Sequence, residues 1–296
     1  MPKLIMLVGI AYSGKSTYAK EKFSNCIILS SDSIREELYG DASIQGDNNK
    51  IFNMLHSRAA KYLKEGKDIV YDATNLSMKR RMGFLKQINH LVDEKYCYVF
   101  ITPYEECIYR QTLRERKVPT DVIMRQLKQF QCPDFYEGWD RIELIIDDTC
   151  KEYDKNYYKL NNFSQDNPNH SLTASEHMYK TWEYASRQAK GDIILELAAA
   201  HHDIGKYLTK TFVNKKGETT EVAHYYGHQN VGAYLLLQKC YNKYMAPYYS
   251  RAAILVQWHM EHYMRDEKGM EKLYNLLGPR QSHRLKELYR FDKAAH

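Results

Sequence analysis

Gly9-Ile10-Ala11-Tyr12-Ser13-Gly14-Lys15-Ser16-Thr17 satisfies the pattern G-x-x-x-x-G-K-[ST] and adds a second hydroxyl. It follows Leu4-Ile5-Met6-Leu7-Val8, an uninterrupted apolar run of the kind shown by a strand buried on both faces, and Ser16 to Lys22 can continue as a helix. In that setting Gly9 and Gly14 let the backbone curl so that its N–H groups point inward, and the helix N-terminus adds partial positive charge. Lys15 then reaches the outer phosphates of a nucleotide and Ser16 ligates magnesium. An ordinary strand–turn–helix would need neither the paired glycines nor the Lys-Ser dipeptide.

Working outward, strands and helices alternate through the first half. Ile27 to Leu29 reads as a strand, Asn48 to Glu65 as an amphipathic helix stopped by Gly66, and Asp68 to Tyr71 as a third strand. Ser77 to His90 is predicted as a helix capped by Ser77, Tyr96 to Ile101 as a strand, Tyr104 to Arg116 and Asp121 to Phe130 as helices, and Glu143 to Ile146 as a last strand. Such alternation implies a parallel sheet covered on both faces, with ligands at the carboxyl ends of its strands.

Composition sets looser bounds. The 296 residues, 44% of them hydrophobic, suffice for about two domains. No apolar run approaches the ~18 residues needed to span a membrane, and the first strand begins too early for a signal peptide, so a soluble intracellular, cytoplasmic protein is expected. Cys26, Cys97, Cys107, Cys132, Cys150 and Cys240 form no C-x-x-C pair, which favours reduced thiols over a disulfide framework or a zinc ribbon. A net charge of +6 permits a polyanionic partner without demanding one. The 26 tyrosines read as half-buried packing residues more readily than as base-stacking platforms.

Three further features fall at strand ends. Asp32 is placed either to cap a helix or to accept the proton of an attacking hydroxyl, and Arg35, one turn later, to hold a phosphate of the acceptor or to stay a solvated charge. Asp72-Ala73-Thr74-Asn75 either makes a turn or orients magnesium or the acceptor. Arg110 and Arg114, four apart, share a helical face that is suited to clamping a phosphoryl group, with Arg116 close behind and Val118-Pro119 beyond.

A phosphate loop, then Asp-x-x-Arg, then Asp-x-Thr-Asn, then an arginine lid ending in Val-Pro, resembles the kinase module of phage and bacterial 5′-OH polynucleotide kinases over about residues 1 to 150. The resemblance implies ATP contacts from Gly9, Ser13, Gly14, Lys15, Ser16 and Thr17, magnesium on Ser16, Asp32 as general base and Arg35 on the phosphate beside the acceptor hydroxyl. It also implies Asp72 and Asn75 in the acceptor site, and Arg114, with Arg110 and Arg116, on the ATP phosphates. Small-molecule P-loop kinases share much of this pattern.

From about residue 151 to 168 the composition turns to Asp, Lys, Asn and Tyr, which reads as a linker before a second domain at 169–296. That domain shows helical patterns at His177 to Lys190, Ile193 to His201, Gly227 to Lys239, Tyr248 to His262 and Arg284 to Ala295, and no convincing strand. An apolar helix runs straight into His201-His202-Asp203-Ile204-Gly205-Lys206, with His177 upstream and His228, His259 and Asp292 downstream. Burying several ionisable groups among apolar helices costs several kcal/mol each unless they are paired or hold a metal. Imidazole and carboxylate suit manganese, nickel, cobalt, iron or zinc.

The ordered set His177, His202-Asp203, His228, His259 and Asp292 resembles the HD family of metal-dependent phosphohydrolases. The match implies an all-helical domain, a first metal on His177, His202, Asp203 and Asp292, and His228 and His259 on a second metal or the substrate phosphate. It further implies catalytic service from Asp203 and a phosphate contact from Lys206, while His201, His224 and His262 are expected to be structural or to support the ligands.

The expected fold is therefore α/β plus all-α: a P-loop kinase with a parallel sheet, then an HD domain. The expected function is healing of RNA or DNA ends, with ATP and Mg2+ serving a 5′-OH kinase and a transition metal serving removal of a 3′-phosphate or 2′,3′-cyclic phosphate. The chain contains no Lys-x-Asp-Gly, so sealing would fall to a separate RNA ligase. Two rivals are a nucleoside or nucleotide kinase fused to an HD nucleotidase, and a nucleotide-binding regulator with a sensory HD domain.

Overall fold

The computed structural model describes residues 2–44, 46–153, 160–168 and 171–295. It divides into two compact units, Met1–Asp147 and Asp148–His296.

The first unit is built on a five-stranded, wholly parallel sheet in the order β2-β3-β1-β4-β5. Its strands are β1 (Lys3–Val8), β2 (Ile27–Ser30), β3 (Ile69–Asp72), β4 (Glu94–Ile101) and β5 (Arg141–Ile146). The apolar run of β1 sits centrally because both its faces are covered, with Leu4, Leu7 and Val8 fully buried. On one face Ile5, Leu7, Val70, Tyr98 and Phe100 pack against Ala19 of α1 (Lys15–Lys22), with Tyr18 edge-on to Phe100 at 5.2 Å.

Register positions the chemistry. Leu7 pairs with Asp72, and Asp72 with Ser30, so β1, β3 and β2 end level with one another. The phosphate loop, the Asp72 turn and α2 (Ser31–Tyr39) consequently emerge side by side at the carboxyl edge. Ser30 caps α2 by accepting from the Asp32 amide at 3.2 Å, so Asp32 lies in the first helical turn rather than at the cap. The remaining helices are α3 (Asn48–Lys64), α4 (Met78–Ile88), α5 (Tyr104–Thr112) and α6 (Thr120–Gln129).

One expectation fails here. Helix α5 stops at Thr112 rather than Arg116, so Arg114 leaves the face that carries Arg110. Val118 precedes Pro119, which disfavours helical backbone, and the Tyr12 hydroxyl captures both the Arg116 carbonyl and the Val118 amide.

The second unit is helical: α7 (Cys150–Tyr153), α8 (Ala174–Gln188), α9 (Ile193–His201), α10 (Lys206–Thr209), α11 (His228–Gln238), α12 (Ala246–Trp258), α13 (Glu261–Met264) and α14 (Glu267–Ala294). Thr173 and Glu176 form a reciprocal capping box on α8, and Asp192 caps α9 while receiving Arg284 at 2.8 Å. Helix α14 breaks at Gly278, φ 74°, just before Pro279, so the expected Arg284 to Ala295 helix is only its second half. The unit also contains an antiparallel ribbon of β6 (Thr211–Val213) and β7 (Thr219–His224) that the sequence reading did not anticipate. A three-residue strand is too short to show a period of two.

Of the expected linker, residues 154–159 lie outside the described residues. Leu160 and Gln165 are buried within the second unit. All six cysteines are free. Among the described residues no helix is long and apolar enough to cross a membrane.

Candidate functional site

The phosphate loop is shaped by close approach. A Cβ on Gly9 would come within 2.7 Å of Ser13 Oγ and 3.0 Å of Phe100, and Gly14 caps α1 with φ 88°. Lys15 is buried, donating to the Ile10 carbonyl at 2.7 Å and to Ser13 Oγ at 3.2 Å, and burial lowers its ammonium pKa. Ser16 Oγ donates to Asp72 Oδ2 at 2.6 Å. Burial raises the Asp72 carboxyl above its ordinary value, against the opposing Ser16 bond and Lys15 charge. Asp72, which the resemblance implied in the acceptor site, is thus engaged with the Ser16 hydroxyl of the loop. Asn75, φ 49°, donates its amide to the Leu7 carbonyl at 2.7 Å and so ties the turn to β1. Thr17 is exposed.

Asp32 is half-exposed and receives two arginines: Arg35 Nη1 lies 3.0 Å from Oδ1, and Arg116 Nη1 lies 3.0 Å from Oδ2. Arg35 is buried, its Nη2 reaches Asn48 at 3.3 Å, and its Nε has no hydrogen-bond partner among the described residues. Arg110 spans Glu106 and Asp147, each at 2.7 Å, and its Nη1 would lie 3.9 Å from a Cβ on Gly14. The Arg114 side chain is exposed and makes no ion pair or side-chain hydrogen bond among the described residues. The structure therefore brings Arg116, and not Arg114, onto Asp32.

In the second unit the polar residues converge from five helices. His177 (α8), His202 (end of α9) and Asp292 (α14) form one buried group; Asp203, His228 (α11) and His259 (end of α12) form another. His177 Nε2 is 2.9 Å from Asp292 Oδ1 and 3.1 Å from His202 Nε2. His228 Nε2 is 3.3 Å from both His259 Nε2 and Asp203 Oδ1. Asp203 joins the groups: Oδ1 faces His228 and His259, while Oδ2 lies 3.6 Å from His202 and 3.8 Å from His177.

These donors fit divalent metal. Nδ1 of His202, His228 and His259 sits 2.9, 2.8 and 2.6 Å from the carbonyls of Ala199, Tyr225 and Val256. A carbonyl only accepts, so each Nδ1 carries a hydrogen and each ring turns its Nε2 inward, where that nitrogen can offer a lone pair to a metal. The Nε2 atoms of His228 and His259 face each other at 3.3 Å, and two lone pairs there would repel unless a proton or cation lay between them. Burial pushes the Asp203 carboxyl up, but Lys206, His202 and bonds from His228 and His259 outweigh it and hold the pKa well below the carboxylate range. Asp292 is likewise held down, its burial outweighed by His177 and His202.

Lys206 is buried, with its Nζ 2.7 Å from Asp203 Oδ2, 2.6 Å from Gln165 Oε1 and 5.4 Å above the Tyr225 ring. Two of its three hydrogens are thus directed to Asp203 and Gln165, at the position where the resemblance implied a phosphate contact. Tyr263, half-exposed, donates to Asp292 Oδ2 at 3.2 Å. Neither Gln165 nor Tyr263 stood out in the sequence: Gln165 falls in the expected linker, and Tyr263 was one of many tyrosines. His201, His224 and His262 belong to neither group; they engage Leu197, Thr220 and Tyr274.

Gly205 permits this convergence. A Cβ there would overlap the His228 carbonyl and stand 2.7 Å from the Gly232 amide. Gly205→Ala should push α11 away and lower metal content per chain by at least about tenfold, as even residues that only orient ligands cost about 10–100-fold in affinity. Elemental analysis of the purified variant checks this.

The family model for an AAA domain matches residues 4–133, and that for an HD domain matches residues 174–295. The chain is 28% identical over 187 residues to L-seryl-tRNA(Sec) kinase of Methanococcus maripaludis, covering 58% of this chain and 69% of that one. A chain in a structure of the Pnkp1/Rnl/Hen1 RNA repair complex is similar at 26% identity and a TM-score of 0.38, with 44% of each chain covered. A second Pnkp1/Rnl/Hen1 structure gives 27% and 0.35, over 40% of this chain and 41% of that one. The chain spans less than half the length of those repair-complex chains. With the parallel sheet and loop of one unit and the helical His–Asp clusters of the other, the chain joins a P-loop kinase-like domain, matched by the AAA domain family, to an HD domain.

Proposed function

We propose that this chain heals nucleic-acid ends, the first unit phosphorylating a 5′-OH with ATP and the second removing a 3′-terminal or 2′,3′-cyclic phosphate. The observation that carries the acceptor assignment is Arg35. Its buried Nε lacks a partner among the described residues, which costs about 1–3 kcal/mol, and it belongs to the guanidinium that pairs with Asp32. A polar group left unsatisfied beside the intended base favours an acceptor with an anion next to its hydroxyl, as a nucleotide end has and an unphosphorylated nucleoside lacks.

In this reading the loop amides and Lys15 hold the outer phosphates, and Ser16 and Asp72 hold magnesium. Asp32 accepts the proton of the attacking 5′-hydroxyl as the γ-phosphoryl leaves the β-phosphate oxygen, and Arg116 turns from Asp32 to the transferring group. A divalent metal, once bound in the second unit, would supply Lewis acidity and an activated water at phosphorus. His177, His202 and Asp292 would hold one such ion and His228 and His259 another, with Asp203 between the two groups. Lys206 fixes the Asp203 carboxylate, and Tyr263 the outer oxygen of Asp292.

The test is a short RNA with a 5′-OH and a 2′,3′-cyclic phosphate, incubated with ATP, magnesium and manganese and resolved by gel and mass spectrometry. Lys15→Ala should lower 5′ phosphorylation by about 10³-fold and leave the 3′ reaction intact. If neither end changes while mononucleosides are consumed, the polynucleotide reading is wrong. The 28% identity to an L-seryl-tRNA(Sec) kinase favours a second reading, in which the acceptor hydroxyl is carried on an aminoacylated tRNA. Labelling of that RNA but not of the 5′-OH oligonucleotide would select it.

A further inference from the structure

Tyr12 occupies a costly backbone position. Its φ is 64°, in the left-handed region that crowds any residue with a Cβ and that glycine enters freely. A loop selected only for curling around phosphate would place glycine there, so the tyrosine must return something through its side chain.

The phenol supplies it. The Tyr12 hydroxyl donates to the Arg116 carbonyl at 3.1 Å and accepts from the Val118 amide at 2.8 Å. Those two groups bracket the stretch that leaves α5 and enters α6 at Pro119. Arg116, held by its own backbone, reaches Asp32 at 3.0 Å. Next to Tyr12, the Ala11 amide donates to Gln126 on α6 at 2.7 Å. Two consecutive loop residues are therefore tied to the 116–126 stretch, more than a hundred positions away in sequence.

We propose that Tyr12 is a positioning residue that makes filling of the phosphate loop and placement of Arg116 a single event. Phosphates drawn into the loop reset the Tyr12 backbone, and its hydroxyl carries the 116–118 backbone with it, so the guanidinium exchanges Asp32 for the incoming charge. Asp32 is freed as a base only when nucleotide is present, which limits wasteful transfer to water. The inference rests on reading the loop as a nucleotide site and deepens that reading.

Arg116 and Lys117 are trypsin sites inside the coupled segment, so proteolysis of the full chain reads the coupling directly. The experiment compares wild type, Tyr12→Phe and Tyr12→Gly, with and without magnesium and a non-hydrolysable ATP analogue. The analogue should protect the segment in wild type. Loss of the two hydroxyl bonds in Tyr12→Phe should speed cleavage there by about tenfold and weaken analogue binding similarly, with protection abolished. Tyr12→Gly should lose the same coupling yet melt no lower than wild type, because the strain is gone. Wild-type cleavage and protection in Tyr12→Phe would overturn the proposal. So would a fall of several degrees in the Tyr12→Gly melting temperature, which marks a packing residue, or a wild-type chain that the analogue does not protect. These readouts need nucleotide binding but no transfer to RNA, so failure of the end-healing reading shows separately.

Discussion

Replacing Asp203 with asparagine is expected to lower phosphate removal by at least about 10³-fold and to strip metal from both groups of the second unit. The cause is its central position: one oxygen faces His228 and His259, the other His202 and His177. Among the described residues no other one belongs to both neighbourhoods in this way, so substitution of His259 alone should spare the His177, His202 and Asp292 group. Asparagine keeps the shape but removes the charge that holds Lys206, an ammonium buried with it. Leaving that ammonium uncompensated costs about 3–5 kcal/mol, so the variant should also melt lower. Lys206→Met in the same chain separates the effects: it restores stability without restoring metal. Elemental analysis and thermal melts read the two outcomes, and an Asp203→Asn protein with full metal content would remove the bridging role.

The largest loss of stability without loss of a candidate site residue is expected in the first unit, at Glu137→Leu. Arg81, 1% exposed, forms a two-pronged pair with Glu137, at 2.7 Å from Nε and 2.6 Å from Nη2. Its Nη1 meanwhile donates to the carbonyls of Asn75 and Leu76, at 2.9 and 3.0 Å. Removing the carboxylate strands a guanidinium in the core, for about 3–5 kcal/mol, a large share of the ~5–15 kcal/mol that keeps a domain folded. The melting transition of that unit should fall by about 10 °C. Arg81→Leu with Glu137→Leu should recover part of the loss, since no charge then needs desolvating, but not all of it, since the Asn75 and Leu76 carbonyls lose their donor. Those carbonyls belong to the turn behind Asp72, so the double variant should still show weakened magnesium-dependent phosphorylation. Equal destabilisation in the single and double variants would mean that the turn carbonyls, and not the ion pair, carry the effect.

The phosphate loop and the ordered His–Asp set were legible because their chemistry is local or strictly ordered. Glycines, a lysine and a hydroxyl at fixed spacing describe a loop without reference to the rest of the chain, and β1 announced its central place by an unbroken apolar run. The helices at His177, Ile193 and Gly227 followed from periodicity, because a helix is a repeat within one segment.

What escaped the sequence depends on partners distant in the chain. Arg81 sits on a helix among Lys79 and Arg80 and reads as one more solvated charge; only Glu137, 56 positions later, makes it a core residue. Gln165 looked like linker until Lys206 was beside it, and Tyr12 like a neutral loop position until its hydroxyl met the backbone at Arg116 and Val118. That Arg116 rather than Arg114 reaches Asp32 turned on where α5 ends, which a proline and a tyrosine at the far end of the unit decide together. Sequence by itself determined which chemical groups the chain has and which segments carry them. Tertiary structure decided which of those groups are charged, paired and aimed, because burial and Coulomb interaction depend on distance in space, and distance along the chain does not encode it.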